Sequence, residues 1–454
     1  MIWLGEHFLV IVGVALTLLA AIFVLQQRRT PQSTAAWLLA IVLLPYVAIP
    51  LFLALGFRKQ GSRFPRVRFE RAQRGERGEG GVRANFRSYG LPAATPGNAF
   101  TLLGDGTGAY VAMMRLVEEA RDSLDVTFYL IADDAVGRAF VEALERRARA
   151  GVSVRLIIDR LGNLWPPTKA LRRLRAAGGE LRYFSPIVHA PDRGHLNLRN
   201  HRKMVIADGT RVFAGGMNVA DEYMGPEQNP KRWVDLSFCL EGPTVQVFAD
   251  LHASDWESAG AENACKPRQA VACASVGETC TQLVPSGPDM DGDALHDVLV
   301  NAIHNAQERV WVVTPYFLPT ELLGHALAVA GRRGVDVRIV VPEHSNHRVA
   351  DFARGAYLRE MTASGCRVLV YPERMVHAKS TLIDDVAYVG SPNFDVRSML
   401  LNFECALFLY DHQSVEAVRS WFEALHSRCI EFTPRDGFWR RLTEDVFRLG
   451  TPVL

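Results

Sequence analysis

An internal repeat constrains this chain more than any other feature. The run "ARDSLDVTFYL" (residues 120–130) precedes "AFVEALERRARAGVSVRLIIDR" (139–160), and "AQERVWVVTPYF" (306–317) precedes "ALAVAGRRGVDVRIVVPE" (326–343). Each pair reads as a strand, an amphipathic helix, a Gly-Val turn and a buried apolar strand. Gly151 and Gly334 stand where a helix ends on a glycine. Apolar strands alternating with helices predict an α/β fold of two homologous lobes, each a mostly parallel mixed sheet flanked by helices.

The repeat extends to a rarer pattern. "HRKMVIAD" places His201, Lys203 and Asp208 together, and "HAKSTLID" places His377, Lys379 and Asp384 at the same spacing. Only six lysines occur among 454 residues, and arginine supplies the other 45 basic side chains. Two of the six follow a histidine by two positions and precede an aspartate by five. Random order predicts about 0.009 such triplets, so a pair of them at equivalent places is not an accident of composition. Downstream, "GGMN" ending in Asn218 is echoed by "GSPN", which holds Ser391 and Asn393.

Positions i and i+2 share one face of a strand, not of a helix. The apolar residues after each lysine are strand-like, and Asp208-Gly209 is a turn signal. Each lobe therefore offers an imidazole and an ammonium side by side, with an asparagine near the end of the next strand. Neither lobe alone has both a nucleophile and an acid; two facing lobes supply both. That set suits a phosphodiester. Lys203, Lys379, Asn218 and Asn393 can donate to nonbridging oxygens without a metal, one histidine can attack phosphorus, and the other can protonate the leaving oxygen. A lysine is a compact point charge that fits beside an attacking imidazole, where a planar guanidinium would crowd it. "DMDGD" (289–293) lacks the last ligand of a calcium loop, and the seven cysteines form no C-x-x-C pair, so no metal cage is expected.

The N-terminus differs in kind. Residues 8–25 and 35–57 are uncharged, and a membrane span needs roughly 20 apolar residues. "MIWLGEHF" lacks the basic start of a signal peptide, so two uncleaved spans are expected, the second interrupted by Pro45 and Pro50. The loop between them holds Arg28 and Arg29. Residues 58–87 hold nine arginines, one lysine and three glutamates, a local +7 against a whole-chain charge of +2. This larger cluster puts the residues beyond the second span on the cytoplasmic side, against anionic headgroups. The rest of the chain is near −5, without the excess a nucleic-acid partner requires.

H-x-K-x4-D followed by G-[SG]-x-N, twice, resembles the phospholipase D superfamily. The two N-terminal runs, "RNHRKM" and "TPYF" make the chain similar more narrowly to bacterial cardiolipin synthases. The resemblance implies a transmembrane hairpin (1–57), a basic juxtamembrane linker (58–95), a first phospholipase D-like lobe (96–260), an inter-lobe linker (261–281) and a second lobe (282–454). It implies transfer of a phosphatidyl group between two phosphatidylglycerol molecules through a phosphohistidine, releasing glycerol, with no cofactor. The localisation implied is the bacterial inner membrane, multi-pass, with cytoplasmic lobes and anionic membrane lipids as partners. A membrane-bound phospholipase D making phosphatidic acid is the alternative, since transfer and hydrolysis differ only in what resolves the intermediate. By position, His201 is the nucleophile and His377 the general acid and base. Lys203, Lys379, Asn218, Asn393 and Ser391 serve the phosphate, with Asp208 and Asp384 supporting. Asp235 and Glu404 are further acids able to orient the histidines. Two departures stand out. Gly216 replaces the serine that Ser391 retains, and the segment after Asp384 is one residue shorter than that after Asp208, leaving its register open.

Overall fold

The computed structural model describes residues 2–26, 31–55, 64–69, 81–184, 198–260, 273–434 and 437–449. Arg28 and Arg29, Cys265, residues 58–63 and 70–80 of the basic segment and residues 261–272 of the expected inter-lobe linker lie outside these. The chain divides into two compact units: residues 1–63 with 187–198, and residues 64–186 with 199–454.

In the first unit α1 (Ile2–Gln26), α2 (Pro31–Leu43) and α3 (Pro45–Leu55) follow one another. The second apolar run is therefore not one helix. Pro45 has no N–H and disfavours helical backbone at Leu44, which separates α2 from α3. Hydrogen bonds from Leu44 N to Ala40 O and from Ala48 N to Leu44 O, both 2.8 Å, carry the chain across, so it bends rather than ends. Val24, Ile41, Ala48 and Phe52 form a small core, while Leu18, Leu19, Leu43 and Leu44 stay exposed. The side chains of α1 are described for Phe8 and from Ile11 onward, and among the described residues no helix is long and apolar enough to cross a membrane.

The second unit opens with α4 (Val82–Ser88) and then lays down one half as β1 (Thr95–Leu103), α5 (Gly106–Glu119), β2 (Ser123–Phe128), α6 (Ala135–Arg149), β3 (Ser153–Asp159), α7 (Thr168–Ala176), β4 (Glu180–Phe184), β5 (Met204–Ala207), β6 (Arg211–Gly215), β7 (Ser237–Glu241) and α8 (Val245–Ser258). The other half runs β8 (Thr279–Ser286), α9 (Ala294–Asn305), β9 (Arg309–Val313), α10 (Glu321–Arg332), β10 (Asp336–Pro342), α11 (Arg348–Ala363), β11 (Arg367–Tyr371), β12 (Ser380–Ile383), β13 (Val386–Gly390), α12 (Val396–Leu400), β14 (Glu404–Leu409) and α13 (His412–His426). It closes with β15 (Ile430–Glu431) and α14 (Phe438–Leu449). The repeated helices start and stop as their sequences direct. Asp134 caps α6 through Gly137 N and Thr320 caps α10 through Leu323 N, and Gly151 and Gly334 follow with φ of 93° and 86°.

All strands join one 15-stranded sheet in the order β15-β11-β10-β9-β12-β13-β14-β8-β1-β7-β6-β5-β2-β3-β4. Apart from β15 the order reads the same from both ends, as a repeat about the β1–β8 seam. The expectation of a mostly parallel sheet does not hold. Among the described strands only β2–β3–β4 and β9–β10–β11 pair in parallel. Parallel neighbours need a crossover, which α6, α7, α10 and α11 supply. After each H-x-K, β5–β6 and β12–β13 are hairpins closed by short turns, and β6–β7 and β13–β14 return through longer segments, the latter holding α12, as antiparallel neighbours.

Alternation along β5 sets the layers. Val205 and Ala207 pack with the helices of the first half, while Met204 and Ile206 join a core shared by both halves beneath α8 and α13. Ile383 and Leu382 divide in the same way in β12. The register left open by the shorter turn is settled. Three residues link Ala207 to Arg211 and two link Ile383 to Val386, yet the ladders run alike to Met204 opposite Ala214 and Ser380 opposite Val389, one step from each lysine, and Gly390 N donates to Lys379 O at 3.2 Å.

Candidate active site

The seam brings the two H-x-K segments together through their backbones. His201 N donates to Phe403 O at 2.9 Å and Phe403 N donates to Arg199 O at 2.9 Å. On the other side Val234 N donates to Met375 O at 2.9 Å and His377 N to Val234 O at 2.7 Å. Each histidine is thus tied to the strand that leads into the acidic residue of the opposite half. The side chains follow. His377 Nδ1 lies 2.6 Å from Asp235 Oδ2, and His201 Nδ1 lies 3.3 Å from Glu404 Oε1. The exchange of acids between halves is what sequence reasoning missed; the acids were named, but nothing local says from which half each histidine draws its partner.

The acids are held differently. Ser391 Oγ donates to Glu404 Oε2 at 2.6 Å and accepts from Cys405 N at 3.0 Å. In the first half Gly216 stands at the corresponding place, and a Cβ there would lie 2.3 Å from Asp235 Oδ1. The missing hydroxyl is therefore a matter of room. Aspartate is one methylene shorter than glutamate, its carboxylate sits closer to the strand, and only glycine leaves space beside it.

The lysines turn back onto their own segments. Lys203 Nζ donates to His201 O at 2.5 Å, and Lys379 Nζ donates to His377 O. Lys379 Nζ is also 2.6 Å from His377 Nδ1. One nitrogen cannot donate to Asp235 and accept from Lys379 at once, so with hydrogen on Nδ1, as the carboxylate requires, the ammonium is left to the carbonyl. Burial pushes the Lys203 ammonium down, and burial with the neighbouring Lys203 charge pushes Lys379 down to about 7 against the pull of Asp235. Both imidazoles are depressed as well. Burial lowers His201 despite Glu404, and burial with Lys379 lowers His377 to about 3 despite Asp235. Burial opposes ionisation of Glu404, but His201, Lys203 and Ser391 outweigh it and hold its carboxyl low.

Asn218 and Asn393 are buried, and among the described residues the side-chain oxygen of each has no partner. Aromatic rings wall the histidines. Tyr129 lies 4.3 Å from His201, and Tyr223 and Trp233 lie 5.0 and 5.4 Å from His377, centroid to centroid. No pattern in the sequence marks these rings as site residues.

Asp208 and Asp384 do not join the set. They stand at the far ends of β5 and β12. Asp208 accepts from Arg121 N, Asp122 N and Ser123 N at 2.7–3.1 Å, and Asp384 from Gln307 N, Glu308 N and Arg309 N at 2.9–3.0 Å. Each collects the amides that open the neighbouring strand, with φ of 53° and 47° in the turn. Their place in the H-x-K-x4-D pattern reflects strand length, and they belong to the scaffold rather than to the pocket. Among the described residues no group of three His, Cys, Asp or Glu side chains could hold a metal ion.

A sheet whose halves repeat about a seam, with an imidazole, an ammonium and an amide from each meeting at that seam, defines a phospholipase D-like protein. Residues 113–230 and 299–426 match the family described as cardiolipin synthase, PLD-like domain, and residues 15–56 match the phospholipase D-nuclease N-terminal family. The chain belongs to the cardiolipin synthase, PLD-like family. It is 34% identical to cardiolipin synthase A of Pseudomonas aeruginosa, over 98% of this chain and 96% of the relative. It is 31% identical to the major cardiolipin synthase ClsA of Bacillus subtilis, over 96% and 97%. The crystal structure of phosphatidylserine synthase from Haemophilus influenzae shares the fold, with a TM-score of 0.61 over 78% of this chain and 95% of that one, at 14% identity.

Proposed function

We propose that the chain is a cardiolipin synthase that transfers a phosphatidyl group from one phosphatidylglycerol to a second through a phosphohistidine. The observation that carries this reading is the pair of imidazoles, each held at Nδ1 by a carboxylate of the opposite half, which turns Nε2 of each toward chemistry. His201 is the nucleophile. Its lowered affinity for protons keeps it neutral at pH 7, and it is the more open of the two, with 23% of its side chain exposed against 10% for His377. Its Nε2 forms a bond to phosphorus while the bond from phosphorus to the glycerol oxygen breaks. His377 gives that oxygen its proton. The hydroxyl of a second phosphatidylglycerol then passes a proton to His377 as its oxygen attacks phosphorus and frees His201. Atoms balance as two phosphatidylglycerols giving cardiolipin and glycerol. Lys203, Lys379, Asn218 and Asn393 hold the nonbridging oxygens, and Ser391 holds Glu404 against His201.

Burial and the two ammoniums keep His377 neutral against the pull of Asp235. A phosphodiester anion between the lysines offsets that opposition, so the acid is charged by its own substrate. The two lobes, expected as 96–260 and 282–454 with a linker of 261–281, are better bounded at the starts of β1, Thr95, and β8, Thr279. Residues 1–57 form the membrane hairpin and the basic residues just after it lie against anionic headgroups, whereas 64–69 and 81–95, expected as linker, belong to the second unit, with Phe86 in its core and Arg66 donating to Pro288 O. The enzyme then belongs to the bacterial inner membrane with its lobes in the cytoplasm. The outward-facing Leu18, Leu19, Leu43 and Leu44 support the hairpin. The test is lipid analysis of the purified full chain with phosphatidylglycerol. Cardiolipin and glycerol in equal amounts are expected; phosphatidic acid and glycerol instead would replace transfer by hydrolysis.

A further inference from the structure

Arg202, between His201 and Lys203, points to the opposite face of its strand and is fully buried. Its guanidinium bonds Asp255 on α8 at 2.5 Å, Asp289 at 2.9 Å, Glu404 O at 3.2 Å and Ser286 O at 3.3 Å, and lies over the Phe403 ring. The repeat predicts a counterpart to this slot, and the counterpart is vacant. Ala378 takes the place of Arg202. Ala424 on α13, twenty residues after Glu404, takes the place of Asp255, twenty after Asp235. Beside Ala424, where the carboxylate would be, a cavity of about 460 Å³ opens, lined among others by Gly104, Val234 and Leu425.

Its charge is inverted as well. Arg374 and Arg428 line the cavity at positions where the first half has Leu198 and Ala259. Arg428 is paired with Glu373, and Arg232, also in the wall, is paired with Asp221. The one carboxylate in the lining, Asp105, is occupied by Thr107 N and Gly108 N at the start of α5. Arg374 has no carboxylate partner among the described residues. Its Nη1 donates to Pro230 O at 2.5 Å, and its Nε is buried without a partner. Trp233 and Trp421 complete the walls.

We propose that this cavity is a second anion site, behind the catalytic strand, which binds a phosphate-bearing group on Arg374 and Arg428 between the two tryptophans. Its volume falls in the range of small-ligand pockets, about 300–1,000 Å³. A guanidinium that makes no ion pair among the described residues favours phosphate, which it can bind through two oxygens.

Hydrogen exchange of the full chain in neutral detergent, followed segment by segment, tests this. Inorganic phosphate at ten times its dissociation constant should slow exchange about elevenfold in 228–234 and 421–428, wherever opening requires release of the ion. Arg374→Ala should abolish that slowing and leave any slowing around His201 and His377 in place. Ala424→Phe, which fills the cavity, should do the same, and Arg374→Lys should retain most of it. A parallel arm uses phosphatidylcholine vesicles with one part in ten phosphatidic acid and no free phosphate. Slowing in that arm alone identifies a lipid headgroup as the source, and slowing with phosphate alone a soluble ion. No slowing in either arm, or slowing that survives both Arg374→Ala and Ala424→Phe, overturns the proposal.

Discussion

The surroundings of the two histidines differ more than their shared motif suggests. His377 is the more enclosed, 2.6 Å from a short carboxylate beside a glycine and walled by Tyr223 and Trp233. His201 is the more open, 3.3 Å from a longer carboxylate that a serine must steady. The repeat has kept the geometry of a carboxylate on Nδ1 but reached it by two pairings, Gly216 with Asp235 and Ser391 with Glu404. An attacking imidazole must reach phosphorus and needs access; an imidazole that shuttles a proton needs a fixed place and a dry wall. The comparison teaches that equal motifs can stand in unequal surroundings, which suits them to the unequal roles proposed.

The sharpest way to break this comparison is to remove each imidazole. His201→Ala should reduce turnover to background and yield no protein-bound phosphate from any substrate. His377→Ala should slow phosphatidylglycerol turnover about 100- to 10,000-fold, the usual worth of a general acid. It should nevertheless release a burst of nitrophenol from an activated phosphodiester, with the phosphohistidine accumulating on His201. A burst in His201→Ala with the adduct on His377 would exchange the two roles.

The next largest effect comes from mixing the pairings. Gly216→Ser forces its side chain against Asp235 and moves the carboxylate off His377. A misplacement of about 1 Å can cost about 100-fold. Adding Asp235→Glu rebuilds the arrangement of the other half and should recover much of the loss in kcat; a double variant no better than the single one would show that the pairings are not interchangeable solutions. Ser391→Gly is milder, removing one hydrogen bond to a charged group, worth about 1.5–3 kcal/mol. Expressed in full in the barrier this is about 10- to 150-fold, and turnover should fall toward the lower end of that range.

Proton uptake separates the halves more finely. Burial and Lys379 push His377 down to about 3, and an anion between the lysines would raise it. Binding of an unreactive phosphodiester at pH 6–7 should therefore take up protons, seen as a heat of binding that depends on the buffer. His377→Ala should diminish the uptake; an unchanged value would move the titration to Lys379, which stands at about 7. The sign is the same in folding. With a folded value below the ordinary one, His377 makes stability rise with pH between about 3 and 6.5. The smallest effect expected is none: dialysis against a chelator should leave turnover unchanged, because two lysines and two asparagines supply the donors. Loss restored by one particular divalent ion would contradict that.

Much of this was legible in sequence because the relevant signals are local. The i, i+2 spacing puts His201 with Lys203 and His377 with Lys379 on shared faces, and Gly151 and Gly334 mark the helix ends. What could not be read depends on distant residues. The sheet is mostly antiparallel because the strands after each H-x-K fold back on their neighbours, through short turns at β5–β6 and β12–β13 and longer segments at β6–β7 and β13–β14. Asp208 and Asp384 share the motif yet serve backbone amides, since a conserved-looking spacing records the length of a strand as readily as a reaction. The exchange of Asp235 and Glu404 between histidines, and the open counterpart of the Arg202 slot, emerge only when the halves are laid against each other.

The antiparallel contact of β1 with β8 has a bearing on assembly. It joins Thr95 to Thr281 and Asn98 to Thr279, and so continues one ladder across the seam. A protein carrying one half alone would finish in an unpaired edge, with amides and carbonyls ready to recruit another strand. Its closed solution is a symmetric dimer of two identical copies, in which both histidines would have to share one environment. Joining the copies in a single polypeptide satisfies the edge internally and removes that symmetry requirement. Only then can one histidine acquire a glycine and a short acid while the other keeps a serine and a long one, and only then can one arginine slot stay filled while its twin falls vacant.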